Sequence, residues 1–252
     1  MKIVLIGAGN LATHLGLALR EAEHDILQLY SRTEASAIQL ATQLSCPYTT
    51  EIQTLRTDAE VYIYALKDDI IHHVMQQVHI PGALHIHTAG SVDLYQSDKG
   101  NYGVMYPLQT FSKERPISFK ELPICIEGDS PETLRQIQEL ALSLSNKVHH
   151  INSAQRKQVH LAAIYACNFV NCLYANAEEI MQRAQLPFEL LYPLIQETAF
   201  KIKAISPKKA QTGPAKRGDA NVMQQHLSLL DSEIQKEIYS LLSKDINLRH
   251  KL

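Results

Sequence analysis

Cysteine is scarce in this chain. The four in 252 residues, Cys46, Cys125, Cys167 and Cys172, form no C-x-x-C pair, which excludes a zinc knuckle or a dithiol redox motif. Cys167 and Cys172 fall in one helical pattern and read as small hydrophobes in a reducing compartment, not as a disulfide. No metal site is expected. An excess of one charge is also missing. The 24 Lys and Arg face 26 Asp and Glu, a formal net charge of −2, which argues against nucleic acid as the main partner. No apolar run reaches the ~20 residues of a bilayer span. The first covers only residues 3–6, too short for a signal peptide. A cytoplasmic protein without a membrane partner is the expectation. Internal repeats and low-complexity segments are absent as well. What remains is ordinary globular material, 45% hydrophobic and 20% charged, at a length where two domains are the rule.

The most informative stretch is the first dozen residues. The aliphatic run Ile3-Val4-Leu5-Ile6 leads without a spacer into Gly7-Ala8-Gly9-Asn10-Leu11-Ala12. Apolar positions at helical spacing follow: Leu11, Leu15, Ala18 and Leu19. A strand, a glycine turn and a helix present a helix N-terminus to a pyrophosphate. Gly7 permits the sharp turn, and Gly9 lets phosphates approach the backbone N–H groups. Ala12 replaces the third glycine of the motif and lets the helix lie close on the strand.

The next strand, Asp25–Tyr30, indicates which dinucleotide. It ends in Ser31-Arg32-Thr33, with no acid before Glu34. NAD sites normally place Asp or Glu here to accept from the ribose 2′-hydroxyl. Hydroxyls and a guanidinium are donors suited to a 2′-phosphate instead. NADP is therefore the expected cofactor. Ser31 or Thr33 could also cap the following helix.

Strand and helix patterns alternate up to about residue 150, which predicts an α/β fold with a Rossmann-like, doubly wound, mostly parallel sheet. Helices are expected over 34–44, through 74–77 (capped by Asp68 or Asp69) and over 131–143. Strands are expected over 61–66, 84–87, 104–106, 124–126 and 147–151. Strand signals stop at Ser153. Helical patterns over 153–184, 188–205, 221–230 and 232–243 then predict an all-helical second domain, with residues 206–217 irregular. The expected division is a dinucleotide-binding domain at 1–152 and a helical substrate and dimerisation domain at 153–252.

Ligands of open α/β sheets sit beyond the carboxyl ends of the strands. That singles out Leu66-Lys67-Asp68-Asp69, His87-Thr88-Ala89-Gly90-Ser91 and Tyr106-Pro107-Leu108-Gln109-Thr110-Phe111. Leu66 and Lys67 would flank the nicotinamide ribose, Thr88 would face the cofactor, and His87 is a candidate proton donor or a strand-end histidine bonded to backbone. The long helix carries Lys157, His160 and Asn168 among apolar residues. At 100° per residue, Lys157 and Asn168 project within ~20° of each other, and His160 lies about 60° to one side. His160 and Asn168 are ~12 Å apart along the axis, so they cannot share one carbonyl oxygen. His160 is the first choice for the proton donor, with Asn168 orienting the substrate. Farther on, Thr212-Gly213-Pro214-Ala215-Lys216-Arg217-Gly218-Asp219 offers Lys216 and Arg217 to an anion, and Asp219 as a helix cap.

These segments, together with His160-Leu161-Ala162-Ala163, Cys167-Asn168 and Asn171, resemble a family of short two-domain NADP oxidoreductases whose helical C-terminal domain lacks an assigned function. The architecture is similar to pyrroline-5-carboxylate reductases, 6-phosphogluconate dehydrogenase-like enzymes and ketopantoate reductases. The resemblance implies reduction of a small, anionic carbonyl or imine substrate, with ketopantoate one possibility. Two alternatives are an NADP-binding sensor without chemistry and a dehydrogenase of a phosphorylated hydroxy acid. One departure stands out. Related β-hydroxyacid dehydrogenases place Lys four residues before the helix Asn, where this chain has Ile164, so the acid falls to His160 or Lys157. The helical pattern at 153–184 is apolar on more than one face, which predicts a homodimer through the helical domain. The resemblance implies the same pairing.

Overall fold

The computed structural model describes residues 1–97 and 100–250. Two compact units form, Met1–Cys167 and Asn168–Leu252. The first is built on β1 (Lys2–Ile6), α1 (Asn10–Glu21), β2 (Asp25–Tyr30), α2 (Glu34–Leu44), β3 (Tyr48–Thr49), β4 (Val61–Tyr64), α3 (Ile71–Gln77), β5 (Leu84–His87), β6 (Asn101–Pro107), β7 (Ile124–Gly128), α4 (Pro131–Leu144), β8 (Val148–His150) and α5 (Ser153–Ala163).

The eight strands form one sheet in the order β3-β2-β1-β4-β5-β6-β7-β8. Only the β6–β7 pair is antiparallel. The mostly parallel, doubly wound α/β sheet expected from the alternation is thus present. Strand order reverses direction at β1, which lies between β2 and β4. Register carries this switch point across the sheet: Tyr30, Ile6, Tyr64, His87 and Val104 form one row. Each strand-end motif expected to bind ligand begins at or just beyond that row. Alignment of the segments thus follows from strand length.

Both faces of the sheet are covered. Leu15 and Leu19 of α1, Leu40 and Leu44 of α2, and Ile137, Leu140 and Leu144 of α4 pack with Ile3, Leu5, Ile63 and Ile86. Val4, Ile6, Tyr62 and Tyr64 point the other way, onto Ile71, Val74 and Met75 of α3. Residues i, i+4 on each helix and i, i+2 on each strand meet in this way, and each fully buried leucine contributes ~1.5–3 kcal/mol.

Several local expectations need correction. The two-residue β3 and a 3₁₀ turn at Ile52–Thr54 are too short to carry a periodic signal. Neither Asp68 nor Asp69 caps α3. Both lie in a 3₁₀ turn, Asp68–Ile70, and the N-cap position is Ile70. Ser130 does cap α4, with Pro131 in the first turn. Asn152 and Gln155 form a capping box that starts α5.

The expected change from alternating to helical structure occurs at 152/153, yet the first compact unit continues to Cys167. Buried contacts at the start of α5, described below, tie it to the sheet.

The second unit contains α6 (Phe169–Arg183), α7 (Tyr192–Lys201), α8 (Pro207–Ala210), α9 (Pro214–Arg217), α10 (Ala220–Ser228) and α11 (Glu233–His250). The helix expected over 153–184 is broken by a π turn, Ile164–Asn168. Uniform 100° steps therefore do not run from Lys157 to Asn168, and the stripe drawn through them fails. A 3₁₀ turn at Phe188–Leu191 precedes α7. Residues 206–217 hold two single-turn helices where irregular chain was expected, and α11 runs seven residues past 243. Asp219 caps α10 as expected, accepting from the Val222 N–H at 3.3 Å.

Candidate functional site

Gly7 and Gly9 solve different problems. Gly7 is buried at φ +125°, where a Cβ would collide with the carbonyl oxygen of Ala65 beyond β4. It closes the switch point between β1 and β4. Gly9 is exposed at the N-cap of α1, and a Cβ there would meet nothing within 4 Å. Behind it, the first turn of the 12-residue α1 contains no acid. Open backbone and free N–H groups at a helix N-terminus suit a pyrophosphate. Asn10 donates through Nδ2 to Phe111 O at 2.9 Å, and His14 bonds Ser112 O at 2.8 Å. These bonds hold the loop after β6 beside the first turns of α1. Leu11 is half-buried and packs on the core.

At the end of β2, Ser31 is buried, with its hydroxyl bonded within the turn to the Thr33 backbone. Ser31 therefore shapes the turn. Thr33 is the N-cap of α2 but makes no side-chain cap bond. Arg32 is exposed and makes no ion pair among the described residues. The only acid in the first turn of α2 is Glu34. A free guanidinium and no strand-end acid fit a ribose 2′-phosphate.

Beyond β4, Leu66 is half-buried and Lys67 is exposed. Asp68 accepts a close hydrogen bond from the Ser91 hydroxyl, tying this turn to the one after β5. Thr88 is buried, and its hydroxyl donates to Tyr64 O at 3.3 Å. That residue pins two strand ends together. His87 is fully buried, and its geometry argues against proton transfer. Nδ1 accepts from the Ala89 N–H at 3.3 Å, so the ring proton sits on Nε2 and donates to Asp93 O at 3.1 Å. Burial, aided by the nearby Arg156 charge, pushes its pKa down to about 3. With both nitrogens committed and the protonated form disfavoured, His87 holds the 87–93 turn.

His160 sits differently. Its Nδ1 is 3.1 Å from the Tyr106 hydroxyl, at the end of β6. Nε2 has no hydrogen-bond partner among the described residues. Gly90 makes this approach possible, since a Cβ there would lie 2.7 Å from His160 Nδ1 and 2.8 Å from Tyr106 Cζ. Burial, with smaller contributions from Cys125 and Asp68, pushes the Tyr106 hydroxyl up to about 12. It therefore stays protonated through the neutral range. The result is an imidazole seated at the carboxyl edge of the sheet by a phenol and a glycine.

The start of α5 is held by groups the sequence reading missed. Arg156 is wholly buried and pairs closely with Glu127 of β7. It also donates to Val92 O at 2.6 Å and to Ser153 Oγ at 3.1 Å. Its four-residue spacing from His160 was the available signal. Lys157 instead faces outward and pairs with Asp93 at 2.7 Å, so it is not aimed at the His160 ring. In the second unit, Asn168 is exposed at the end of the π turn. Lys216 and Arg217 are exposed in α9, and Lys216 donates to Gln211 O at 2.7 Å.

Residues 2–89 match the family model described as NADP oxidoreductase, coenzyme F420-dependent, and residues 122–246 match a domain of unknown function, DUF2520. No curated protein matches. Among solved structures, a "putative NADP oxidoreductase" from Bacteroides fragilis is 45% identical, with a TM-score of 0.93 and 98% of each chain covered. A 1-pyrroline-5-carboxylate reductase from Streptococcus pyogenes is 16% identical, with a TM-score of 0.65, covering 100% of this chain and 99% of that one. An imine reductase from Myxococcus stipitatus, in complex with NADP⁺, is 14% identical with a TM-score of 0.66, covering 98% and 92%. The last two share the fold.

Proposed function

Because the chain belongs to the family of two-domain NADP oxidoreductases that includes the Bacteroides fragilis protein, we propose that it is an NADPH-dependent reductase of small carbonyl or imine compounds. The observation that carries this reading is the His160 ring, seated on Gly90 and Tyr106 with Nε2 free, on the sheet edge that begins with the Gly7–Gly9 turn. Bound NADPH would supply the hydride. The N-terminus of α1, Gly9 and Asn10 would hold its pyrophosphate, and Arg32 its 2′-phosphate. With the Tyr106 hydroxyl donating to Nδ1, the ring proton of a neutral His160 lies on Nε2, ready for the oxygen or nitrogen of the substrate. Tyr106 orients the ring and keeps its own proton.

A second copy of this chain is the proposed partner of the helical unit. Among the described residues of that unit only Ala215 and Gln235 are buried, while Leu190, Leu194, Phe200, Leu229 and Leu241 are exposed. A helical unit with so little interior needs cover from outside.

Following NADPH oxidation at 340 nm across 2-oxo acids, cyclic imines and aldehydes tests the activity. With any accepted substrate, His160→Ala should lower kcat by ~10²–10⁴-fold and leave the NADPH Kd unchanged. Tight NADPH binding without oxidation of any compound would point to a sensor and overturn the reductase reading.

A further inference from the structure

We propose that Arg156, through its pair with Glu127, is a positioning residue that sets where the His160 ring sits; this rests on the reading of His160 as proton donor. Arg156 and His160 are four residues apart on α5, so they share a face one turn apart, ~6 Å along the axis. The guanidinium reaches three parts of the first unit. It pairs with Glu127 on β7, donates to Val92 O in the turn after β5, and meets Ser153 Oγ on its own helix. Ser153 reinforces this pin. Its N–H and hydroxyl donate to the Glu127 carboxylate at 2.9 and 2.8 Å, and its oxygen accepts from the Leu94 N–H at 3.0 Å.

The pinned elements are those that build the seat of the ring. Glu127 is opposite Val104, two residues before Tyr106 on β6. Val92 is two residues after Gly90. Lys157 holds the same turn from its exposed side through Asp93. Rotation of α5 about its axis is thus opposed from two directions at the turn below His160. The lever is short and the tolerance small. Side chains lie ~5–6 Å from a helix axis, so a 10° rotation would move the ring by about 1 Å. A displacement of that size can cost ~10²-fold in rate.

Stability alone does not account for this pair. Replacing a buried ion pair by apolar side chains of similar volume is often neutral or stabilising, and Arg156 leaves its buried Nε without a partner. What a guanidinium adds is a rigid planar fork that can bond Glu127 and Val92 O together, which a single ammonium cannot do in the same geometry.

Arg156→Lys keeps the charge and an aliphatic stem. With an accepted substrate it should lower kcat about tenfold to a hundredfold, with KM and the NADPH Kd little changed. In a His160→Ala background it should cost nothing further, because there is no ring left to position. Independently of turnover, the His160 ring ¹⁵N and Hε1 resonances should move in Arg156→Lys, as its bond to Tyr106 changes. Ser153→Ala, the milder variant, should show the same pattern at smaller size and covers the case in which Arg156→Lys does not fold. Equal losses of kcat with and without His160 would overturn the proposal, as would unmoved His160 resonances in both variants. If His160→Ala turns over normally, the donor reading fails, and the resonances still decide whether Arg156 seats the ring.

Discussion

Replacing Gly90 by alanine separates the seat of His160 from everything else in the fold. Gly90 lies outside the positive-φ glycines, so its backbone accepts a side chain. The added Cβ would stand 2.7 Å from His160 Nδ1, 2.9 Å from His160 Cγ and 2.8 Å from Tyr106 Cζ. Comfortable heavy-atom contacts are ~3.5–4.0 Å, so the two rings must withdraw by about 1 Å. Their bond, already 3.1 Å, would then pass beyond hydrogen-bond range. Overpacking of this kind costs ~1–3 kcal/mol of stability, and a misplaced catalytic group ~10²-fold in turnover. Gly90→Ala should therefore stay folded, melt a few degrees lower and bind NADPH as before. Its kcat with saturating NADPH and any accepted substrate should fall about a hundredfold. The assays are 340 nm kinetics, nucleotide fluorescence for Kd and a thermal melt. A folded Gly90→Ala protein with unaltered kcat would show that the seat plays no part in turnover. Equal losses in kcat and NADPH affinity would show that the methyl disturbs the cofactor site instead.

The other glycines predict different outcomes. Gly9→Ala, at φ −79° with nothing within 4 Å of the new Cβ, should change stability by less than ~1 kcal/mol yet weaken NADPH at least tenfold by calorimetry; normal binding would remove this turn as the phosphate cradle. Gly7→Ala, at φ +125° against Ala65 O, should destabilise the protein without any ligand, as a urea titration would show, and an unshifted midpoint would contradict the close approach. Arg32→Asp removes a charge-assisted bond worth ~1.5–3 kcal/mol and adds repulsion to the 2′-phosphate, so NADPH should bind about tenfold or more weakly while NADH is spared; equal losses for both would refute the 2′-phosphate assignment. Light scattering at micromolar concentration should give about twice the chain mass of 28.3 kDa, and a stable mass of one chain would rule out the second copy as partner.

Sequence alone determined the framework, because its determinants are local. A buried strand needs consecutive aliphatic residues, a surface helix needs apolar positions at i and i+4, and a cap needs Ser, Asn or Asp at one place. Residues 2–44 obey these rules closely enough to indicate strand, glycine turn, helix and the Ser31-Arg32 end of β2, and hence the NADP family. Tertiary structure decided which side chains face the chemistry. His87 and His160 are alike in sequence, each near Ala and Gly or Leu at an element's end. Only the turn after β5 fills the nitrogens of one, through the Ala89 N–H and Asp93 O, and only the β6 terminus brings Tyr106 to the other. In sequence Gly90 is equally a close backbone approach or an ordinary turn residue, and only the fold shows two rings from distant segments converging on it. Arg156 gains its role only where Glu127, 29 residues earlier in the sequence, meets it inside the fold. The π turn at Ile164–Asn168 leaves no mark in composition, since it changes the hydrogen-bond register rather than the residue types, and it broke the phase on which the Lys157–Asn168 stripe depended. Periodicity records which face of an element is buried; it carries no record of what the rest of the chain brings to that face.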